Sequence, residues 1–195
     1  VYGDFNSKEV EENAHCKPIG IYGTLKYSGE LLIKSYNQVF DLPYTIIRPS
    51  ALYGERCVSR RVGQIFIENA LTGKPLLLEG GGCGKLDFTY IEDLIDGMIR
   101  ALALHGGPTV SDTFNLTYGN ARSILELANV IKEIIPDVTF ECRPKAEDKP
   151  IRGTLKMDKA EDRLGFKPKW PLEKGYKRYC EWYVSERGKV IGSNA

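Results

Sequence analysis

The chain is expected to be an α/β protein. Segments with helical apolar spacing alternate with short apolar runs along its length, the pattern of strands joined by helical crossovers. The run Tyr44 to Arg48 (YTIIR) carries no polar alternation, as in a strand covered on both faces of a parallel sheet. No internal repeat or low-complexity segment interrupts the pattern. At 195 residues the chain can bury a sizeable core, as one large domain or two small ones.

Val1 to Lys17 is polar, with an acidic cluster at Glu9, Glu11 and Glu12, and reads as a loop. Pro18 is acceptable in a first turn, so a helix is expected from there to about Phe40. Leu25, Leu32, Tyr36 and Val39 form its apolar stripe, and Asp41 to Pro43 ends it. Pro49 stops the YTIIR strand, and a loop follows to Arg61. A helix over Val62 to Leu71 ends at Thr72-Gly73, and Leu76 to Leu78 makes a short strand. Glu79 to Gly84 is a turn whose glycines suit positive φ. Glu79 and Leu86 stand where a P-loop needs Gly and Ser or Thr, so it is no Walker motif.

Ile91 to Leu104 is the clearest amphipathic helix, with Ile91, Leu94, Ile95, Met98, Ile99 and Leu102 at i, i+3, i+4, i+7 spacing and a stop at His105-Gly106-Gly107-Pro108. Thr113 to Thr117 is a strand candidate. Ser123 and Glu126 make a capping-box signature for a helix whose apolar face is Ile124, Leu127, Ala128, Ile131 and Ile135. A strand at Val138 to Cys142 and helices at Asp158 to Leu164 and about Leu172 to Glu186 complete the series.

Composition excludes several classes. The 42% hydrophobic and 27% charged fractions are those of a globular protein. A net charge of +1 implies no strong pull toward nucleic acid or anionic membrane. The longest apolar runs, such as Pro75 to Leu78, are far too short to span a bilayer. No secretory signal is visible, although the chain opens at Val1 and a leader could have been removed. Five scattered cysteines without a C-x-x-C pair, and two distant histidines, argue against a zinc site or disulfide scaffold. Reduced thiols in a cytoplasmic protein are the expectation.

The chemistry centres on Tyr22 and Lys26 in PIGIYGTLKYSGE, Pro18 to Glu30. Four residues apart on a helix is one turn on one face, so phenol and ammonium can reach one site. A phenol has a pKa of about 10, and a fixed cation beside it favours the phenolate. Such a pair can take a proton from an alcohol while a hydride leaves the same carbon. With 11 tyrosines in the chain the spacing alone is unspecific, and an exposed Tyr with a Lys along its ring is the bland alternative. No G-x-G-x-x-G follows a strand anywhere, so nothing here cradles a dinucleotide pyrophosphate in the usual way.

The order of motifs is what raises the specificity. Val1-Tyr2-Gly3, Tyr22-x-x-x-Lys26 with Glu30, Arg48-Pro49 with Tyr53-Gly54, Leu86-Asp87-Phe88-Thr89-Tyr90-Ile91-Glu92-Asp93, Phe114-Asn115-Leu116 and Leu164-Gly165-Phe166-x-Pro168 follow one another. Over essentially the whole chain this resembles an extended short-chain dehydrogenase/reductase, and more narrowly the NAD-dependent epimerase/dehydratase family acting on nucleotide sugars. In that family the Gly-rich turn, the first strands and a catalytic Ser or Thr precede the segment matching Val1-Tyr2-Gly3. The resemblance therefore implies the C-terminal part of a Rossmann-type doubly wound parallel sheet, interleaved with a small α/β substrate-binding domain. Residues 1–60 would belong to the NAD-binding domain and 61–195 mainly to the substrate domain, with about 91–118 returning to the sheet.

By resemblance, Tyr22 is the base at the sugar C4 hydroxyl, and Lys26 assists it and bonds the nicotinamide ribose. Pro49 and Ser50 lie against the carboxamide of NAD, with NADP left open. Arg152 pairs with the nucleotide diphosphate, a role that suits a guanidinium fork, with a solvated loop Arg as its alternative. Two positions depart from the family. Ala51 stands where many sugar epimerases have Asn, and Leu86 where a second phosphate-binding Arg is frequent; Lys85 or Arg61 could substitute. Asp87 is expected to be structural, and Asp93 to serve near a helix start.

The implied function is nucleotide-sugar 4-epimerase or 4,6-dehydratase chemistry, in a homodimer packed through the Tyr22 helix. As it stands the chain is expected not to bind NAD and to be inactive. A reductase acting on a non-sugar ketone, favoured by Ala51 and Leu86, and a non-catalytic interaction module stay open as alternatives.

Overall fold

The computed structural model describes residues 1–5, 7–57, 59–103, 111–145 and 150–192, with side chains as far as residue 185. In chain order the elements are β1 (Glu9–Val10), α1 (Gly20–Phe40), β2 (Thr45–Pro49), β3 (Leu52–Tyr53), α2 (Val62–Leu71), β4 (Leu76–Glu79), a 3-10 turn (Gly80–Gly82), β5 (Lys85–Asp87), β6 (Thr89–Tyr90), α3 (Ile91–Ala103), β7 (Asp112–Leu116), β8 (Ala121–Ser123), α4 (Ile124–Ile134), β9 (Phe140–Arg143), β10 (Thr154–Leu155), α5 (Asp158–Leu164) and α6 (Leu172–Gly192). The α/β class holds. β2 pairs with β7, β4 with β9, β3 with β6 and β1 with β10, all in parallel, while β5 and β8 are antiparallel.

Two main cores form around these pairs. The larger packs α2 and α4 on β4, with α6 against α4, burying Phe66, Ile67, Leu76, Leu78, Leu127, Ile131 and Tyr176. Of these, Leu127 and Ile131 lie on the apolar face expected for α4, and Leu76 and Leu78 in the expected strand. The capping box of α4 forms as expected: Glu126 N–H donates to Ser123 Oγ at 3.1 Å and Ser123 N–H to the Glu126 carboxylate at 2.7 Å. The bond from Ser123 N–H, and after it the one from Arg122 Nε at 2.6 Å, hold the Glu126 carboxyl down at about 2. The second core packs α3 and α5 on β2 and β7 through Leu94, Ala101, Phe114, Leu116, Ala160, Leu164 and Phe166.

Several expectations change. The first seventeen residues are not all loop, because β1 pairs Val10 with Leu155; a two-residue strand has no periodicity to detect. Helix α1 starts at Gly20, since Ile19 is extended and Gly20 has φ 75°. It ends at Asp41, which takes a left-handed conformation and donates its N–H to the Asn37 carbonyl at 2.8 Å. The α1 stripe at Leu25, Leu32, Tyr36 and Val39 faces outward, as do Ile95, Met98, Ile99 and Leu102 of α3. What α3 turns inward is Asp93, Leu94, Gly97 and Ala101. A Cβ on Gly97 would lie 2.8 Å from Leu116, so α3 uses its small-residue side to approach β7. Strand β2 is buried at Ile46 and Arg48 and half-buried at Thr45 and Ile47, so cover on both faces is incomplete among the described residues. The stop expected at His105 to Pro108 lies outside the described residues.

Candidate active site and nucleotide pocket

Lys26 Nζ lies 5.7 Å from the centroid of the Tyr22 ring, so spacing placed both groups on one face. Asn37, near the end of α1, reaches Ser111 just before β7, while Glu30 in its middle reaches Arg48 near the end of β2. The helix thus runs antiparallel to the sheet, and its first turns lie at the carboxyl end of β2, where Pro49 and Ser50 follow. This edge is where open α/β sheets bind ligands. The enclosure is missing, however: Tyr22 is 69% exposed, Lys26 is exposed, and neither lines either of the two cavities described.

A buried polar network fastens α1 to the sheet. Glu30 is the helix's buried residue, at 7% exposure. Its carboxylate accepts from Arg48 Nε at 2.9 Å and Nη2 at 2.6 Å. The Arg48 guanidinium also donates to the Glu12 carbonyl at 3.1 Å and stacks over Tyr2 at 4.7 Å. Tyr2 in turn donates to Asn115 Oδ1 at 2.7 Å. Burial works against the charge on Arg48, but the bonds to Glu30 and Tyr2 outweigh it and leave its pKa raised. Burial pushes the Tyr2 phenol up to about 12. Sequence reasoning assigned none of these residues a role, although Glu30, a lone carboxylate one turn beyond Lys26, was a visible signal.

Beyond Ser50 the chain enters a cavity of about 250 Å³. Ala51, Leu52, Tyr53, Leu86 and Phe88 contribute to its walls, with Tyr176 and Tyr179 from α6. Tyr53 and Tyr176 stack with centroids 4.2 Å apart. They fit because a Cβ on Gly63 would lie 2.0 Å from the Tyr176 hydroxyl, and one on Gly175 2.0 Å from that of Tyr53. The first residues of α2, Val62 to Gln64, form another wall. Arg61 and Arg152 line the cavity, and no carboxylate does among the described residues. The Arg152 pKa is lowered by burial and then by the charge of Arg61. Two cations lining one cavity, with no counter-charge there among the described residues, suit an anion.

Of the two substitutes for the missing second Arg, the structure brings Arg61 into the cavity with Arg152 and leaves Lys85 out. Leu86 and Lys85 alternate along β5, so Leu86 lines this cavity while Lys85 lines a second one with Lys8, Gly119 and Thr154. Ala51 lines the cavity at φ 33°, a region L-residues other than Asn and Asp rarely adopt. Asp87 has the structural setting expected, fully buried and accepting from Thr117 Oγ1, Gly119 N–H, Asn120 N–H and Leu155 N–H. Burial still raises it, to about 6. Asp93 does more than sit in a first turn: it is buried and accepts the N–H groups of Lys169 and Trp170 at 2.8 and 3.1 Å. Sequence reasoning missed Tyr53, Gln64, Tyr176 and Tyr179 as cavity residues; only the Tyr53-Gly54 motif hinted at one.

Parallel strand pairs, a Tyr-x-x-x-Lys helix at their carboxyl edge and a cationic pocket beside it define a Rossmann-type short-chain dehydrogenase/reductase scaffold. The chain belongs to the NAD dependent epimerase/dehydratase family, whose model matches residues 1–117. It is 34% identical over 184 residues to UDP-glucuronic acid decarboxylase 2 of Arabidopsis thaliana, covering 90% of this chain and 40% of that protein. It is 35% identical over 191 residues to a Methanocaldococcus jannaschii protein provisionally named a UDP-glucose 4-epimerase, covering 93% and 59%. Its fold superimposes on the UDP-glucuronic acid 4-epimerase of Bacillus cereus, crystallised with UDP-glucuronic acid and NAD. That match has a TM-score of 0.88 at 28% identity, covering 95% of this chain and 59% of that one. The chain thus spans about half the length of these relatives.

Proposed function

We propose that this chain carries the Tyr/Lys helix and the substrate pocket of a nucleotide-sugar 4-epimerase or 4,6-dehydratase that works by transient oxidation at C4. The observation that carries the reading is the pair Arg61 and Arg152 on a cavity that tyrosines line and that no carboxylate lines among the described residues. A diphosphate would lie between the two guanidiniums, with Ala51 and Leu86 offering it only apolar contact. The Tyr22 phenolate takes the proton of the C4 hydroxyl, and the Lys26 ammonium balances the charge. The Glu30–Arg48 network keeps that helix in register with Ser50, so the reacting end and the diphosphate end meet where Ser50 joins Ala51.

The residues fit one end of NAD and not the other. Tyr22, Lys26, Pro49 and Ser50 gather at one sheet edge and would meet the nicotinamide, ribose and carboxamide, whereas no Gly-rich turn for the pyrophosphate occurs in this sequence. Bound NAD supplies the hydride acceptor. Residues 1–60 act as the cofactor side and 61–195 mainly as the substrate side, with about 91–118 returning to the sheet. The exposed α1 stripe serves a homodimer, and five free cysteines suit a cytoplasmic enzyme.

Titration calorimetry with UDP and dTDP tests the pocket. Binding weakened about tenfold by either Arg61→Gln or Arg152→Gln is expected, and absence of binding by the folded chain counts against the reading. Micromolar NAD affinity of this chain alone would contradict the one-ended cofactor site. A reductase of non-sugar ketones is the second reading, favoured by the apolar Ala51 and Leu86 walls. Incubating the complete enzyme with UDP- and dTDP-sugars separates the two by whether C4 epimers or 4-keto products form, and Tyr22→Phe should abolish them.

A further inference from the structure

Arg61 reaches the cavity at the end of segment 54–61, which joins β3 to α2. Cys57 and Arg61 bond to Ser59 inside that segment, and Arg60 bonds to Glu68 on α2. Among the described residues, the one side chain of the segment that bonds an element beyond α2 is Glu55. Its carboxylate accepts from the Tyr90 hydroxyl of β6 at 2.7 Å and from Arg178 Nε of α6 at 3.1 Å. Arg178 also pairs through Nη2 with Glu92 of α3 at 2.6 Å and lies 5.0 Å from the centre of the Trp170 ring. Burial, and after it the bond to Glu55, raises the pKa of Tyr90, so the hydroxyl keeps the proton that it donates.

The place of this cluster in the fold gives it a consequence for the cavity. Arg178 stands between Tyr176 and Tyr179, the two residues of α6 that line the cavity. The bond from Arg178 to Glu55 therefore ties the tyrosine wall to the segment that carries Arg61. Arg152 is fastened separately. Next to it, Ile151 N–H donates to Asp4 at 2.7 Å, and Phe5 N–H donates to the Ile151 carbonyl at 2.9 Å. The two guanidiniums face one ligand when both segments are held.

We propose that Glu55 and Arg178 are positioning residues for the nucleoside diphosphate: the clamp they form with Tyr90 holds segment 54–61 so that Arg61 meets the ligand together with Arg152. The effect on affinity rests on the nucleotide reading of the cavity; the hold on the segment does not. Arg178 and Glu92 are both half-exposed, and pairs of that exposure add little to global stability. The clamp acts by sparing the ligand the cost of ordering the segment, which is how preorganisation raises affinity.

Titration calorimetry of the 195-residue chain with UDP tests this. Arg178→Met keeps an apolar stem on Trp170, and Glu55→Gln keeps an acceptor for the Tyr90 hydroxyl. Each should weaken UDP binding about tenfold. By charge alone the two would act in opposite directions, since losing a cation weakens an anion's binding and losing a carboxylate tightens it. Tighter binding by Glu55→Gln overturns the proposal. In an Arg61→Gln background, Arg178→Met should add less than about twofold, because the group it positions is gone. A further loss as large as in the native background overturns it as well. Hydrogen exchange reads the clamp without nucleotide: peptides over 54–61 should exchange about tenfold faster in both variants, with those of α4 unchanged. Unchanged exchange over 54–61 overturns the clamp. Absence of UDP binding by the native chain, with faster exchange over 54–61 in both variants, defeats the nucleotide reading and leaves the hold on the segment standing.

Discussion

Two regions of the molecule use the same kinds of apolar helix and end differently. Where α2 and α4 pack on β4 and α6 on α4, the residues Ile67, Leu76, Leu127 and Ile131 are 0% exposed. Around β2 and β7, Ile21 and Val39 of α1 are 81% and 71% exposed, and four apolar residues of α3 also face out. The first region completes its own core. The second is held on one side by a buried ion pair and keeps broad apolar faces exposed beside a two-stranded sheet. Apolar periodicity thus identifies a face that must be covered and says nothing of what covers it.

The largest expected effect separates the two regions by how they are held. Glu30→Gln strands the Arg48 charge in a buried site and should cost about 3–5 kcal/mol in urea unfolding. A loss under ~1 kcal/mol, the surface-pair range, would mean that α1 is held by something other than this pair. Next, Leu127→Ala should cost about 2–5 kcal/mol and Leu32→Ala within ~0.5 kcal/mol. Comparable losses would erase the contrast.

Asp87 joins the regions by linking β5, the segment after β7 and β10. Asp87→Asn turns an amide donor toward groups that already donate and should cost about 1–3 kcal/mol. Its pH dependence has a definite sign. Burial raises this carboxyl from 3.8 to about 6, so the folded state holds the proton more tightly than the unfolded chain. The stability difference between the native chain and Asp87→Asn should therefore shrink as pH rises from about 4 to 6, read from urea midpoints at each pH. The smallest effect lies at the cavity rim. Ala51→Asn should gain about 0.5–1 kcal/mol by relieving the positive φ, and no change in melting midpoint would show that the strain is absorbed elsewhere.

Much of the fold was legible in the chain. The α4 capping box, the helix over Val62 to Leu71 and the Tyr22–Lys26 face follow from rules spanning a few residues. Contacts between distant residues did not: Val10 meets Leu155, and in the cavity Tyr53 stacks on Tyr176, with no local pattern announcing either. Arg61 and Lys85 looked equivalent as second cations until strand alternation on β5 turned Lys85 to the far side.

By itself the sequence determined the α/β class, the motif order that identifies the family, and the shared face of phenol and ammonium, because each depends on backbone periodicity within one element. Only the tertiary structure decided that Arg61 joins Arg152, that Glu30 is the buried anchor of α1, and that the apolar stripes of α1 and α3 point outward. Those outcomes depend on which distant segment arrives opposite each side chain, and no spacing along the chain encodes that.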